Sequence, residues 1–149
     1  ATHSARRACG VSDLVDGIEE LVGEALAEAD RKELLKVRVR LASARGAGEE
    51  EARALEEIVR IDPLDGEALI LLGQYCGRNE EFERGAFYFE RAASLEAFEA
   101  DAKVRHAQML VSQQRYAEAV PLLKRAQVIR PRENIQQFLE QIERAAQVR

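Results

Sequence analysis

Few residues of this chain combine the type and the spacing that chemistry demands. Of the two histidines, His3 lies near the start and His106 far along the chain. No Cys, Asp or Glu recurs with either at metal-ligand spacing, so His106 reads as a core or groove histidine and no metal is expected. Cys9 and Cys76 are too few for a disulfide framework and too far apart for a CxxC motif. With no basic residue four positions away to activate it, Cys76 reads as a buried, inert thiol. Gly46-Ala47-Gly48 runs into Glu49, Glu50 and Glu51, which would repel a phosphate. No GxSxG, HExxH or paired-carboxylate spacing occurs. The expectation is a protein that is not an enzyme and carries no cofactor.

Charge is arranged in blocks. Asp13 to Asp30 holds seven acids and no base, Arg31 to Arg45 six bases and one acid, and Glu49 to Asp65 seven acids and two bases. A basic helix bearing Lys36, Arg38 and Arg40 could receive an acidic peptide. It could equally pack between its two acidic neighbours and neutralise itself, which needs no ligand and disfavours wrong helix pairings. The net charge of −5 argues against nucleic acid as a partner.

The elements that must position these residues follow from composition. The 149 residues make about one domain, and 9 Gly with 3 Pro are few enough for long helices. The longest apolar run, Ala68 to Leu72, is far short of the roughly 20 residues that cross a bilayer, so no membrane insertion is expected. All aromatic residues lie after position 74, so the first half must pack with Leu, Val, Ile and Ala.

Sliding the chain by 34 residues aligns Pro63 with Ala97 and Pro131, Leu55 with Phe89 and Leu123, and Ile58 with Ala92 and Ala126. Gly73 falls on Ala107, Gly85 on Ala119, Phe82 on Tyr116, and Ile61 on Leu95 and Ile129. Small residues keep small columns, where backbones approach closely, and proline stops the second helix of each unit. With Leu69-x2-Leu72-Gly73-x2-Cys76, Gly85-x3-Phe89 and Ala119-x3-Leu123, the pattern resembles the tetratricopeptide repeat. Leu69 and Lys103 stand where that family places tryptophan. The columns make Tyr75, Phe82, Phe89 and Tyr116 core fillers rather than base-stacking platforms.

The expected fold class is all-α: an α-solenoid of antiparallel helix pairs, a tetratricopeptide-like right-handed superhelix of about eight helices with a C-terminal capping helix. Residues 1–11 read as a disordered tail and 12–149 as a single domain. Within it lie an N-terminal helix at 12–30, a degenerate repeat at 31–65, repeats at 66–99 and 100–133, and the cap at 134–148. Lys36 to Leu41 alternates like a strand, but Leu34, Val37, Leu41 and Ala44 form a helical stripe and nothing nearby could pair as a sheet. Helices are expected over Asp13 to Ala29, Glu49 to Ile61, Gly66 to Arg78, Glu80 to Leu95, Phe98 to Gln113, Tyr116 to Ile129 and Glu133 to Val148.

The resemblance implies a peptide groove lined by the first helix of each unit. It points to Lys36 and Arg40, then Ile70, Gln74 and Arg78, then Val104, Arg105 and Gln108, with Asp101 beside them. Some relatives clamp a C-terminal carboxylate with two Lys, two Asn and an Arg. Lys36 and Arg105 match that set, whereas Arg40, Leu71 and Asp101 depart from it, and that clamp is not expected. The implied function is a scaffold that binds a peptide or helix of a partner protein. The alternatives are a homo-oligomeric assembly module, with Leu14, Ile18, Leu21 and Val22 as the apolar edge, or a regulatory domain cut from a larger protein. No segment reads as a signal peptide, and the two cysteines tilt toward a reducing, cytoplasmic compartment.

Overall fold

The structure, a computed structural model, describes the backbone of residues 5–22 and 27–148 and the side chains of 10–20 and 27–148. Among the described residues eight helices follow one another: α1 (Ala5–Val22), α2 (Glu28–Ala44), α3 (Gly48–Ile61), α4 (Gly66–Arg78), α5 (Phe82–Ala93), α6 (Glu99–Ser112), α7 (Tyr116–Ile129) and α8 (Glu133–Gln147). A short 3-10 turn at Glu96–Phe98 leads into α6. No strand occurs among the described residues, and the fold is an all-α helical-repeat solenoid. The strand-like alternation from Lys36 lies inside α2.

The chain divides into two compact units, residues 1–54 and 55–149, with the division inside α3. In the first unit, α2 buries Leu35, Val39 and Ala42. These are not the expected stripe: Val37 is exposed and Ala44 lies at the surface. The buried set stands 34 residues before Leu69, Gly73 and Cys76, so repeat register decides which face turns inward. Arg38 of α2 pairs with Asp16 and, at 3.0 Å, with Glu19 of α1. Arg45 pairs with Glu50 of α3 at 2.9 Å. At these contacts the charge blocks neutralise one another.

In the second unit, α4 packs on α5, α5 on α6, α6 on α7 and α7 on α8. A Cβ at Gly73 would stand 2.6 Å from the ring of Phe89, and one at Gly85 would stand 3.2 Å from the carbonyl oxygen of Gly73. The glycines therefore let α4 and α5 close on each other. Beyond them, Val104, Ala107, Leu110, Ala119, Leu123, Ala126, Ile135, Leu139 and Ile142 form one core of α6, α7 and α8. At the surface, Arg84–Glu56 at 3.1 Å ties α5 to α3 of the preceding pair, and the two-pronged Arg125–Glu99 contact ties α7 to α6 within one pair.

The turns repeat atom for atom. In each, the residue after the cap has positive φ: Gly46 (68°), Glu80 (59°) and Gln114 (59°). The next amide donates back to the carbonyl five residues earlier: Ala47 to Ala42, Glu81 to Cys76, and Arg115 to Leu110. This is the Schellman motif, three times at a 34-residue interval. The unit at 31–65, expected to be degenerate, keeps its turn in full.

Three expected boundaries shift. Helix α1 begins at Ala5, inside the stretch 1–11 expected to be a tail, because Ala5-Arg6-Arg7-Ala8 are strong helix formers that extend the pattern ahead of Ser12. The helix expected over Asp13 to Ala29 is interrupted at Ala27, which is extended and caps α2, and α2 starts at Glu28 with Glu28 and Asp30 on the positive end of its dipole. Leu21 and Val22 carry no described side chain, and residues 23–26 lie outside the described residues. Helix α5 begins at Phe82 rather than Glu80, because Glu80 is committed to the left-handed turn.

Candidate functional site

The groove of the second unit is built by α4, α6 and the start of α8. Asp65 caps α4 by accepting a hydrogen bond from the amide of Ala68 at 3.0 Å, which fixes where the helix begins. One turn apart on its outer face stand Ile70, Gln74 and Arg78. Helix α6 sets Asp101, Val104, Arg105 and Gln108 opposite them.

Ile70, Gln74, Val104, Arg105 and Gln108 line one cavity of about 470 Å³ together with Glu67, Asp101 and Arg132. Gln74, Arg78, Arg105 and Gln108 line an adjoining depression of about 290 Å³ floored by Gly77, Phe89 and Met109. Six of the eight sequence-derived candidates thus come together. The other two, Lys36 and Arg40, lie on α2 in the first unit, with Arg40 exposed and Lys36 bonded to Glu33 at 3.3 Å.

The groove has two electrostatic ends. At one, Asp101 is held by Arg132 at 3.4 Å and Arg130 at 3.8 Å, so its charge is largely spent within the protein. At the other, Arg78 and Arg105 are exposed, and Arg105 donates to Gln108 at 3.2 Å. Val104 is buried and Ile70 half-buried between these ends.

Arg132, expected to end a repeat, and Asn134, expected to open the cap, complete the wall at the start of α8. The repeat held the missing signal: Asn134 stands 34 residues after Ala100 and 68 after Gly66, at the start of the same inner helix.

The chemically richest residues lie outside the groove. His106 is half-buried on the other side of α6, stacked on Phe89 at 5.8 Å and lining a separate cavity with Glu90 and Lys103. Burial pushes its imidazole below the ordinary value; Arg115 adds to this, while Glu90 and Glu118 oppose it. Burial also raises the Cys76 thiol, despite the cation of Arg84. Among the described residues no cluster of three metal-ligating side chains occurs, and no helix is long and apolar enough to cross a membrane.

Comparison with solved structures matches this arrangement of helices. The N-terminal domain of stress-induced protein-1 from C. elegans superposes with a TM-score of 0.70 at 14% identity, covering 79% of this chain and 98% of its own. The TPR2B domain of yeast Sti1, in its complex with pHsp70, gives 0.67 at 16% identity, covering 80% of this chain and 98% of its own. The chain has the tetratricopeptide-repeat fold. MamA superposes over 99% of this tetratricopeptide chain and 95% of its own, with a TM-score of 0.65 at 15% identity. A Thermobaculum terrenum O-GlcNAc transferase reaches 25% identity and a TM-score of 0.63 over 72% of this chain, which spans 21% of the transferase's length. No family model matches the sequence, and no curated protein does.

Proposed function

We propose that this tetratricopeptide domain is a non-catalytic scaffold whose groove between α4, α6 and the start of α8 docks a segment of a partner protein carrying an acidic and an apolar side chain. The observation behind this reading is the unequal state of the groove's charges. Asp101 is occupied by Arg130 and Arg132, whereas Arg78 and Arg105 stand exposed beside Ile70 and Val104. Arginine is favoured at recognition surfaces because its planar fork of donors grips a carboxylate in two places. The yeast Sti1 domain, solved in its pHsp70 complex, supports a protein partner for this fold. Lys36 and Arg40 are candidate contributors from α2.

A displayed random-peptide library panned on the whole chain tests this. Enriched peptides should pair Asp or Glu with a large apolar residue. Gln74→Ala with Arg105→Glu should weaken them at least about tenfold, some 1.4 kcal/mol. A separate Lys36→Ala, Arg40→Ala variant assigns the part played by α2. Binding unchanged by the Gln74 and Arg105 substitutions would falsify the groove assignment.

A further inference from the structure

On the side of the solenoid away from the groove, one junction departs from the repeat at the residues that should close it. In the preceding unit the cleft between the end of α3 and α5 stops short of α4. Leu69 and Leu72 are 1% exposed there and do not line it. Thirty-four residues on, Lys103 and His106 stand in the places of those leucines, and Ala93 in the place of Val59. The cleft between α5 and α7 now reaches α6. It forms a cavity of about 320 Å³ with Phe89, Ala93, Ala102 and Leu122 as its apolar wall and Lys103 and His106 on the α6 side.

Two charges in this cavity are incompletely matched. The Lys103 side chain is only 24% exposed, yet its ammonium stands 3.7 Å from Glu99, beyond ordinary hydrogen-bond reach. Glu99 is already gripped in two prongs by Arg125. A largely buried ammonium needs closer compensation than that. His106, one turn further along the same face, is held by its stacking on Phe89. Glu90 lines the cavity from α5, is exposed, and forms no ion pair with Lys103.

We propose that this cavity binds a small zwitterion with an apolar body, the chemistry of a free apolar amino acid. Its carboxylate meets Lys103 and the His106 ring, and its ammonium meets Glu90. Its side chain lies on Phe89, Ala93 and Leu122. The volume suits a ligand of that size, and two fixed opposite charges set its orientation.

Amide shifts of the isotope-labelled full chain, titrated with L-phenylalanine, read the result. They should saturate by about 5 mM and centre on α5, α6 and α7 around the cavity, leaving Ile70 and Gln74 unmoved. Phenylpropionate, which lacks the amine, and phenethylamine, which lacks the carboxylate, should each bind at least about tenfold more weakly. Glu90→Gln should erase the preference over phenylpropionate, and Lys103→Gln the preference over phenethylamine. Lys103→Leu with His106→Leu restores the leucines of the preceding unit, so it should stay helical by circular dichroism and lose the saturable shifts. A wild type without saturable shifts at the cavity overturns the proposal. So do shifts that survive the paired leucine substitution, or a carboxylate that binds as tightly without its amine.

Discussion

At the scale of single residues, burial rather than reactivity governs the chemistry. His106 is the residue whose charge the fold opposes, being half-buried against Phe89. Because its folded pKa lies below the unfolded value, the unfolded chain takes up a proton at higher pH than the folded one. The stability this group supports is complete above the unfolded value of about 6.5 and is lost as pH falls below it. Urea unfolding of the wild type should therefore weaken from about pH 7.5 to about pH 5.5. His106→Gln should flatten that slope, and an unaltered slope would locate the titration elsewhere. Glu118 and Glu99, whose carboxyls are held below the usual range by Arg115 and Arg125, titrate in more acidic solution and leave this window clear. Gly73→Ala forces a methyl against the locked ring of Phe89 and should destabilise by about 1–3 kcal/mol. Gly85→Ala meets first the flexible thioether of Met109 at 2.8 Å, and its urea midpoint should fall less. The small columns at Gly73 and Gly85 were visible in the sequence; the stacking of His106 on Phe89 was not, because it joins residues of different repeats.

At the scale of elements, the repeat's punctuation is carried by backbone geometry as much as by residue type. Gly46 suits its left-handed turn, whereas Glu80 and Gln114 hold the same conformation against the clash of a side chain. Glu80→Gly and Gln114→Gly should each raise stability by about 0.5–1 kcal/mol, additively because the turns are separate. Thermal melting of the double variant checks this, and a lowered midpoint would mean those side chains support more than the turn. The same positions show what spacing conceals. Nothing in Glu80 or Gln114 announces a turn, and α5 was expected to begin at Glu80. Pro121 sits inside α7 without ending it, since packing of Ala119, Leu123 and Ala126 holds the helix across the missing donor. The tail expected at 1–11 is helical from Ala5 for a related reason: its residues favour helix without showing periodicity.

At the scale of the whole molecule, a solenoid is stabilised by neighbour-to-neighbour interfaces. Leu123 is fully buried in the core of α6, α7 and α8, and Leu123→Ala should cost about 2–5 kcal/mol. The loss should be local: amide exchange is expected to quicken in α6, α7 and α8 while α2 keeps its own protection. Uniform quickening would instead indicate a single cooperative body. The sequence by itself determined the all-helical class, the 34-residue period, the ends of α4 and α7, and the six inner-helix positions that meet in the groove. These are set by local propensity and by spacing that repeats along one dimension. The tertiary structure alone decided which face of α2 is buried, that Arg130 and Arg132 neutralise Asp101 while Arg105 stays exposed, and that Lys103 and His106 line a cavity whereas Leu69 and Leu72 are closed off. Those outcomes depend on which side chains, distant in sequence, share the same space, and no periodicity encodes that.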